Sequence, residues 1–218
     1  MLKVFTNRSK SLSQIDAEVA KNSQISLFGF DALGKVSYKY ELSGAESKLP
    51  SLSAFSRKVG GVVIAGAVTD NYGILKKSAV IADKGKLLGI SDMVVGYEGS
   101  VYQGGGSYKV YQTSACKIGL VVEDDIKNFE AVKSMSLCDA DLIVIISSVD
   151  EKKEHNFLVR AYAYLFGVSV LLITKSGVLA SDIHGEICGK SLEVESNLII
   201  PVKRQYVLTK TKRRGVKE

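Results

Sequence analysis

The sequence predicts a layered α/β fold. Three observations carry this expectation. Four segments, residues 61–69, 117–122, 142–146 and 169–174, are nearly continuous apolar runs of strand length, the pattern of strands buried on both faces. Segments with helical spacing follow the second and third of them. Residues 77–90 read as a plain hairpin turning at Lys84–Gly85. Strands with two buried faces need cover on both, and helices supply it.

Taken in order, residues 1–7 read as a short strand. Residues 13–21 read as a helix, with Ser13 and Asp16 spaced as a capping box. Residues 24–30 are strand-like, and 37–42 alternate weakly. Leu49–Pro50 opens a helix through Lys58, with proline where a first turn tolerates it. The run GVVIAGAVT at 61–69 is a buried strand, and residues 77–83 and 86–90 form the hairpin. Residues 91–106 are glycine-rich and irregular; 108–112 and 117–123 are two further strands. Ile126, Phe129, Val132 and Leu137 fall near helical spacing, so a helix follows Asp125. A buried strand at 142–146 precedes a second capping-box pattern at Ser148 and Glu151, whose helix runs to about Phe166. Residues 169–174 are again a buried strand, and from Ile183 onward short strands recur in KSLEVES, LIIPV and QYVLT.

Length and composition set the bounds. The 218 residues, 46% hydrophobic and 24% charged, supply one sizeable core. Prolines stand only at Pro50 and Pro201, and no long linker interrupts the chain, so residues 1–218 read as a single domain. No apolar run reaches the roughly 18 residues that span a bilayer, and MLKVFTNRSKS has no signal-peptide core. A cytoplasmic protein with no membrane partner is expected. Cys116, Cys138 and Cys188 are an odd number without metal-like spacing, which fits reduced, packed thiols. No cofactor and no metal are expected. The net charge of +6 gathers in a basic C-terminal tail (Lys203, Arg204, Lys210, Lys212, Arg213, Arg214, Lys217). Such a run can contact phosphates, but no nucleic-acid-binding motif accompanies it, so it reads as a solvated terminus. Gly104–Gly106 lacks the Lys-Ser/Thr of a phosphate loop.

Three segments, in order, resemble the nitrilase (carbon–nitrogen hydrolase) superfamily. SAVIADKGKLLG resembles its Asn-Ser-Ala-x-x-Ile-Asp hairpin. The stretch from VYQGGGSYKVYQTSACKIGLVVEDD to CDADLIVIISS is similar to its nucleophile region, where a Gly-x-x-x-Cys-x-Asp elbow leads into a helix, Ala-Asp-Leu and a buried strand. RAYAYLFGVSVLLITKSG with HGEICGKSLEV looks like its Arg-Ala helix, following strand and Gly-x-Ser turn. The likeness covers about residues 61–207; the first 60 match loosely and read as shortened. It implies a four-layer αββα sandwich and a homo-oligomer, often a face-to-face dimer.

The resemblance also implies a thiolate nucleophile, a glutamate that takes protons and a lysine that stabilises the tetrahedral intermediate. Here Glu123 stands where the cysteine belongs, with Asp125 matching the family's aspartate. The lysine should follow Gly89, where Asp92 or Met93 stands instead. Phe30 aligns with the base, and Asp31 substitutes only after a one-residue slip; the second, supporting glutamate corresponds to Glu98. Helix positions that usually hold Arg, Glu and Asn read Tyr162, Leu165 and Phe166, and the Asn ending the next strand reads Thr174. Groups that act as a unit lose several orders of magnitude when one is removed, so no catalytic residue is assigned. The reading is a catalytically inactive nitrilase-like protein that binds a small molecule or a protein partner. Its vestigial pocket would hold Asp31, Met93, Glu98, Glu123 and Asp125.

Two rivals stand beside it. One is a divergent carbon–nitrogen hydrolase using Glu123 with Asp31 or Glu98 as a carboxylate pair; the other is a basic nucleic-acid-associated protein. Glu123, Asp124 and Asp125 together also suit a metal, but the plainer reading has Asp125 cap the next helix and Asp124 face water. Cys188 with His184 is an imaginable pair without established geometry. His155, in a polar helix start, reads as solvated.

Overall fold

Thirteen strands pair into two sheets in the structure, a computed structural model that describes residues 1–8, 11–96 and 98–202. One sheet has the order β13 (Glu195–Ile200), β1 (Leu2–Asn7), β2 (Ile25–Phe28), β4 (Val62–Asn71), β5 (Ile74–Asp83), β6 (Lys86–Asp92). β3 (Lys35–Ser37) pairs with β4 further along that strand. The other sheet has the order β12 (Ile187–Ser191), β11 (Val178–Ser181), β10 (Ser169–Ile173), β9 (Leu142–Ile146), β8 (Lys117–Val122), β7 (Lys109–Gln112). Its central strands β8, β9 and β10 are parallel, and each is buried nearly throughout, as the apolar runs predict.

Side-chain alternation divides the core into three layers. Along β9, Leu142, Val144 and Ile146 face the opposite sheet, while Ile143 and Ile145 face the helices. The inter-sheet layer also takes Leu27, Ile64 and Ile81 from the first sheet. A second layer packs α4 (Phe129–Leu137) and α5 (Lys153–Phe166) on the outside of the second sheet through Val132, Met135, Val159 and Tyr162. A third packs α3 (Lys48–Val59) on the first sheet through Leu52, Phe55 and Val59, joined by Ala20 of α1 (Ala17–Ala20). Each buried large aliphatic side chain contributes about 1.5–3 kcal/mol. The result is a four-layer αββα sandwich, with the four predicted buried strands all in place.

The differences from the sequence reading are local. Residues 37–42 are not a strand: β3 ends at Ser37 and α2 (Tyr38–Ser43) follows. Its C-cap Gly44 adopts φ 76°, and the Gly44 amide reaches the Glu41 and Tyr40 carbonyls. The first helix divides into a 3-10 turn at Leu12–Gln14 and α1, which Asp16 caps by accepting from the Glu18 amide. QYVLT and the basic tail lie outside the described residues.

The start of α5 also differs. Ser148 does not cap it; the chain enters through Lys152, whose amide donates to Nδ1 of His155 at 3.2 Å. His155 is buried rather than solvated, and burial holds its pKa below the ordinary value. A base with a depressed folded pKa contributes stability that is present above its unfolded value, about 6.5, and lost as pH falls through the folded value. Protonation also removes the Nδ1 acceptor. We expect acid unfolding to retain a component centred below pH 6.5 that His155→Gln abolishes. Denaturation midpoints between pH 5 and 8 that run parallel in the two proteins would refute it.

Candidate functional site

Strand β8 delivers the site. Its inward residues Ile118, Leu120 and Val122 join the inter-sheet core. Gly119 lets α4 approach closely: a Cβ there would stand 2.7 Å from Sδ of Met135 and from Cδ1 of Ile143. The strand ends at Glu123, whose φ of 54° is left-handed, an arrangement that costs a non-glycine residue about 1–2 kcal/mol. A 3-10 turn over Glu123–Lys127 then leads to α4, capped by Asn128 through the Glu130 amide.

The elbow turns the Glu123 carboxylate into the protein, where the residue is 3% exposed. Ser147, which follows the neighbouring β9, donates its hydroxyl to Oε2 at 3.0 Å. The Ser148 amide donates to Oε1 at 3.0 Å. Across the sandwich, Lys77 of β5 places Nζ 3.2 Å from Oε1. Lys77 shares the inward phase of Ala79 and Ile81, so the ion pair bridges the two sheets. Its ammonium lies 5.7 Å from the Phe30 ring centroid and 5.3 Å from that of Tyr102, within cation–π range. Lys77 and Glu123 thus neutralise one another under two aromatic rings.

Asp125 acts elsewhere. Its oxygens accept from the Val94 amide at 2.7 Å and the Val95 amide at 2.8 Å. It does not cap the next helix; it clamps the chain after β6. Burial pushes its pKa up, against the pull of the two amides. Asp124 is outside, paired with Lys127 at 2.7 Å. Met93 is buried in the inter-sheet core, and its amide donates to the Lys77 carbonyl at 2.8 Å. So Met93, Glu123 and Asp125 gather around one end of the sandwich. Asp31 and Glu98 are both exposed, and neither is among the groups that contact the Glu123 carboxylate.

Other positions singled out in the sequence play structural parts. The Tyr162 hydroxyl donates to the Ile126 carbonyl at 2.8 Å and pins the turn after Glu123. Phe166 is buried beneath α5, Leu165 is exposed, and Thr174 closes its own turn with Gly177. Cys116 precedes β8, roughly 20 Å from Glu123 at ordinary strand rise, and burial pushes its thiol up to about 12. Cys138 is exposed after α4. Cys188 lies on β12, separated from β8 by the three strands β11, β10 and β9, and makes no hydrogen bond to His184 among the described residues. None of the three cysteines stands at the end of β8. Among the described residues, no group of three or more His, Cys, Asp or Glu is placed to hold a metal ion, and no helix is long and apolar enough to cross a membrane.

Solved structures place this architecture. An amidase from Nesterenkonia sp. AN1, with acrylamide added at its active-site cysteine, superposes with a TM-score of 0.77 at 14% identity, covering 99% of this chain and 100% of that one. The chain has the nitrilase fold. A cysteine-to-alanine mutant of the Nesterenkonia amidase in complex with butyramide gives a TM-score of 0.74 at 14% identity over 99% and 97% of the two chains. A carbon–nitrogen hydrolase from Helicobacter pylori G27 gives 0.71 at 15% identity over 90% and 87%. No protein-family model and no curated protein sequence matches the chain.

Within this nitrilase fold, sequence reasoning missed Lys77, Ser147 and Tyr102. The sequence did not separate Lys77 from Lys76, because both phases of SAVIA are apolar, Ala79 and Ile81 on one and Val80 and Ala82 on the other.

Proposed function

We propose that this chain is a nitrilase-fold protein that does not hydrolyse carbon–nitrogen bonds and acts by binding a small molecule or a protein partner. The observation that carries the reading is the engaged carboxylate of Glu123, held by Lys77, Ser147 and Ser148. Amide hydrolysis by the route the resemblance implies needs a nucleophile, a proton acceptor and a donor aimed at the developing oxyanion. The ammonium here points at a carboxylate of its own chain. Phe30, where the resemblance calls for the base, contributes a ring. The carboxylate rival gains no support from Asp31 or Glu98, both exposed. Four surface cavities of about 380–530 Å³ are lined without Lys77, Glu123 or Asp125.

The test is ammonia release from acetamide, butyramide and acrylamide. We expect none from the unmodified chain, and none from Glu123→Cys, because a restored thiol still lacks a proton acceptor. Turnover in Glu123→Cys would overturn the reading of the site as dead. Turnover in the unmodified chain, abolished by Glu123→Gln, would favour the carboxylate hydrolase.

The partner we propose first is a second copy. The outer helical layer exposes Phe129 and Leu137 on α4 and Phe157, Tyr164 and Leu165 on the neighbouring α5, apolar side chains that a partner could cover. Of the aromatic stretch at 162–166, Tyr164 and Leu165 face out while Tyr162 and Phe166 face the core. Light scattering at micromolar concentration should give a dimer mass that Phe157→Glu with Leu165→Glu halves. A monomer mass for the unmodified chain would count against it.

A further inference from the structure

At the end of the first sheet, the tip of the β4–β5 hairpin, strand β3 and helix α2 line an open cleft of about 480 Å³, within the usual size of small-molecule sites. Its lining residues include Lys35, Lys39 and Lys48, the carboxylate residues Glu46 and Asp70, and Tyr40 and Tyr72. Two of the lysines are already fixed. Lys35 bonds Asp70 at 2.8 Å, and Asp70 in turn accepts from the Gly73 amide at 2.7 Å, tying the hairpin tip to β3. Lys48 donates to the Lys35 carbonyl and lies 3.7 Å from Glu46. Lys39 has no partner among the described residues, so the wall of three cations and two carboxylates keeps one positive charge.

Tyr72 adds a second observation. It occupies the first position of a two-residue turn, Tyr72–Gly73, with φ 51° followed by 93°. Such turns favour Asn-Gly, because a bulky side chain is disfavoured at positive φ. The chain nevertheless holds a tyrosine there, 72% exposed, among the residues that line the cleft. The same φ pair recurs at Lys84–Gly85, so what Tyr72 offers a ligand is its exposed ring rather than its backbone.

We propose that this cleft binds a nucleoside monophosphate. The phosphate would pair with Lys39, the lysine of this wall that no carboxylate engages among the described residues, with the ion-paired Lys35 and Lys48 beside it. The planar base would stack on the tyrosine rings. The site is independent of Glu123 and of the reading given to it.

Calorimetric titration of the full chain with AMP, GMP and UMP, and with adenosine and inorganic phosphate, tests this. We expect at least one nucleotide to bind, with the matching nucleoside or phosphate alone about tenfold weaker or more. Lys39→Ala should weaken nucleotide binding about tenfold and leave the nucleoside unaffected. Tyr72→Asn should weaken nucleotide and nucleoside alike, while the melting temperature holds or rises because asparagine accepts the turn. A fall in melting temperature with binding unchanged would make Tyr72 a purely structural residue and overturn the proposal. So would absence of binding by all three nucleotides at about 5 mM, near the weak end of specific recognition, or equal binding of phosphate and nucleotide.

Discussion

Lys77→Met is expected to destabilise the folded chain by about 3 kcal/mol. The loss comes from Glu123 more than from the lysine. Removing the ammonium leaves a residue that is 3% exposed, with Ser147 and Ser148 as the remaining hydrogen-bond donors to its carboxylate among the described residues. An uncompensated buried charge carries nearly its whole desolvation penalty, whereas replacing both members of a pair by neutral groups is far milder. Lys77→Met combined with Glu123→Gln should therefore recover most of the loss, to within about 1 kcal/mol of the unmodified chain, since glutamine still accepts a hydrogen bond. Urea denaturation of the four proteins yields the coupling energy directly. A single Lys77→Met variant within about 0.5 kcal/mol of the parent, the range of ordinary surface changes, would show that the pair is not the keystone of this end of the sandwich.

Gly66→Ala should be at least as damaging, about 3 kcal/mol or a failure to fold. The added Cβ would stand 2.3 Å from Cα of Phe30 and 2.6 Å from its carbonyl oxygen. Both are backbone atoms, so no rotamer change relieves the clash. β4 cannot retreat, because it is paired on both sides, with β2 and with β5. The neighbouring amide ladder is also committed: Gly66 donates to the Gly29 carbonyl and accepts from the Leu33 amide. The segment that must yield carries Phe30, one of the two rings over Lys77. Gly106→Ala is the control, since nothing lies within 4 Å of its Cβ position; it should change stability by less than about 0.5 kcal/mol. Equal denaturation midpoints for the two variants would contradict the close packing of Phe30 on β4.

The buried strands were legible because their apolar runs are long, and burial on both faces is what such runs encode. The weak alternation at 37–42 misled because α2 buries none of its residues. Its hold on the fold is the Glu41 carboxylate, which accepts from the Lys48 and Leu49 amides, a contact no periodicity records. Glu123 was found through the order of motifs around β8. Its partner was not, because adjacent Lys76 and Lys77 look alike in sequence and only the phase of the strand separates them. In the fold they go to opposite faces: Lys76 pairs with Asp92 on the outer face, and Lys77 turns inward. Asp125 resembled a helix cap because a helix does follow it, yet its two acceptors serve a loop some 30 residues earlier in the chain.

The pairing of β1 with β13 sets the order in which this molecule can be made. Leu2 lies opposite Ile200 and Asn7 opposite Glu195, so β1 waits for β13, the last of the described strands, to complete its pairing. Until then β1 offers one unpaired side, a template for another chain, and contacts this distant in sequence close slowly. The second sheet, drawn wholly from residues 109–191, has all its strands in hand before β13 emerges. We expect a chain truncated after Ser191 to stay protease-resistant in the second sheet, while β1, deprived of one of its two partners, is cleaved faster than in the full chain.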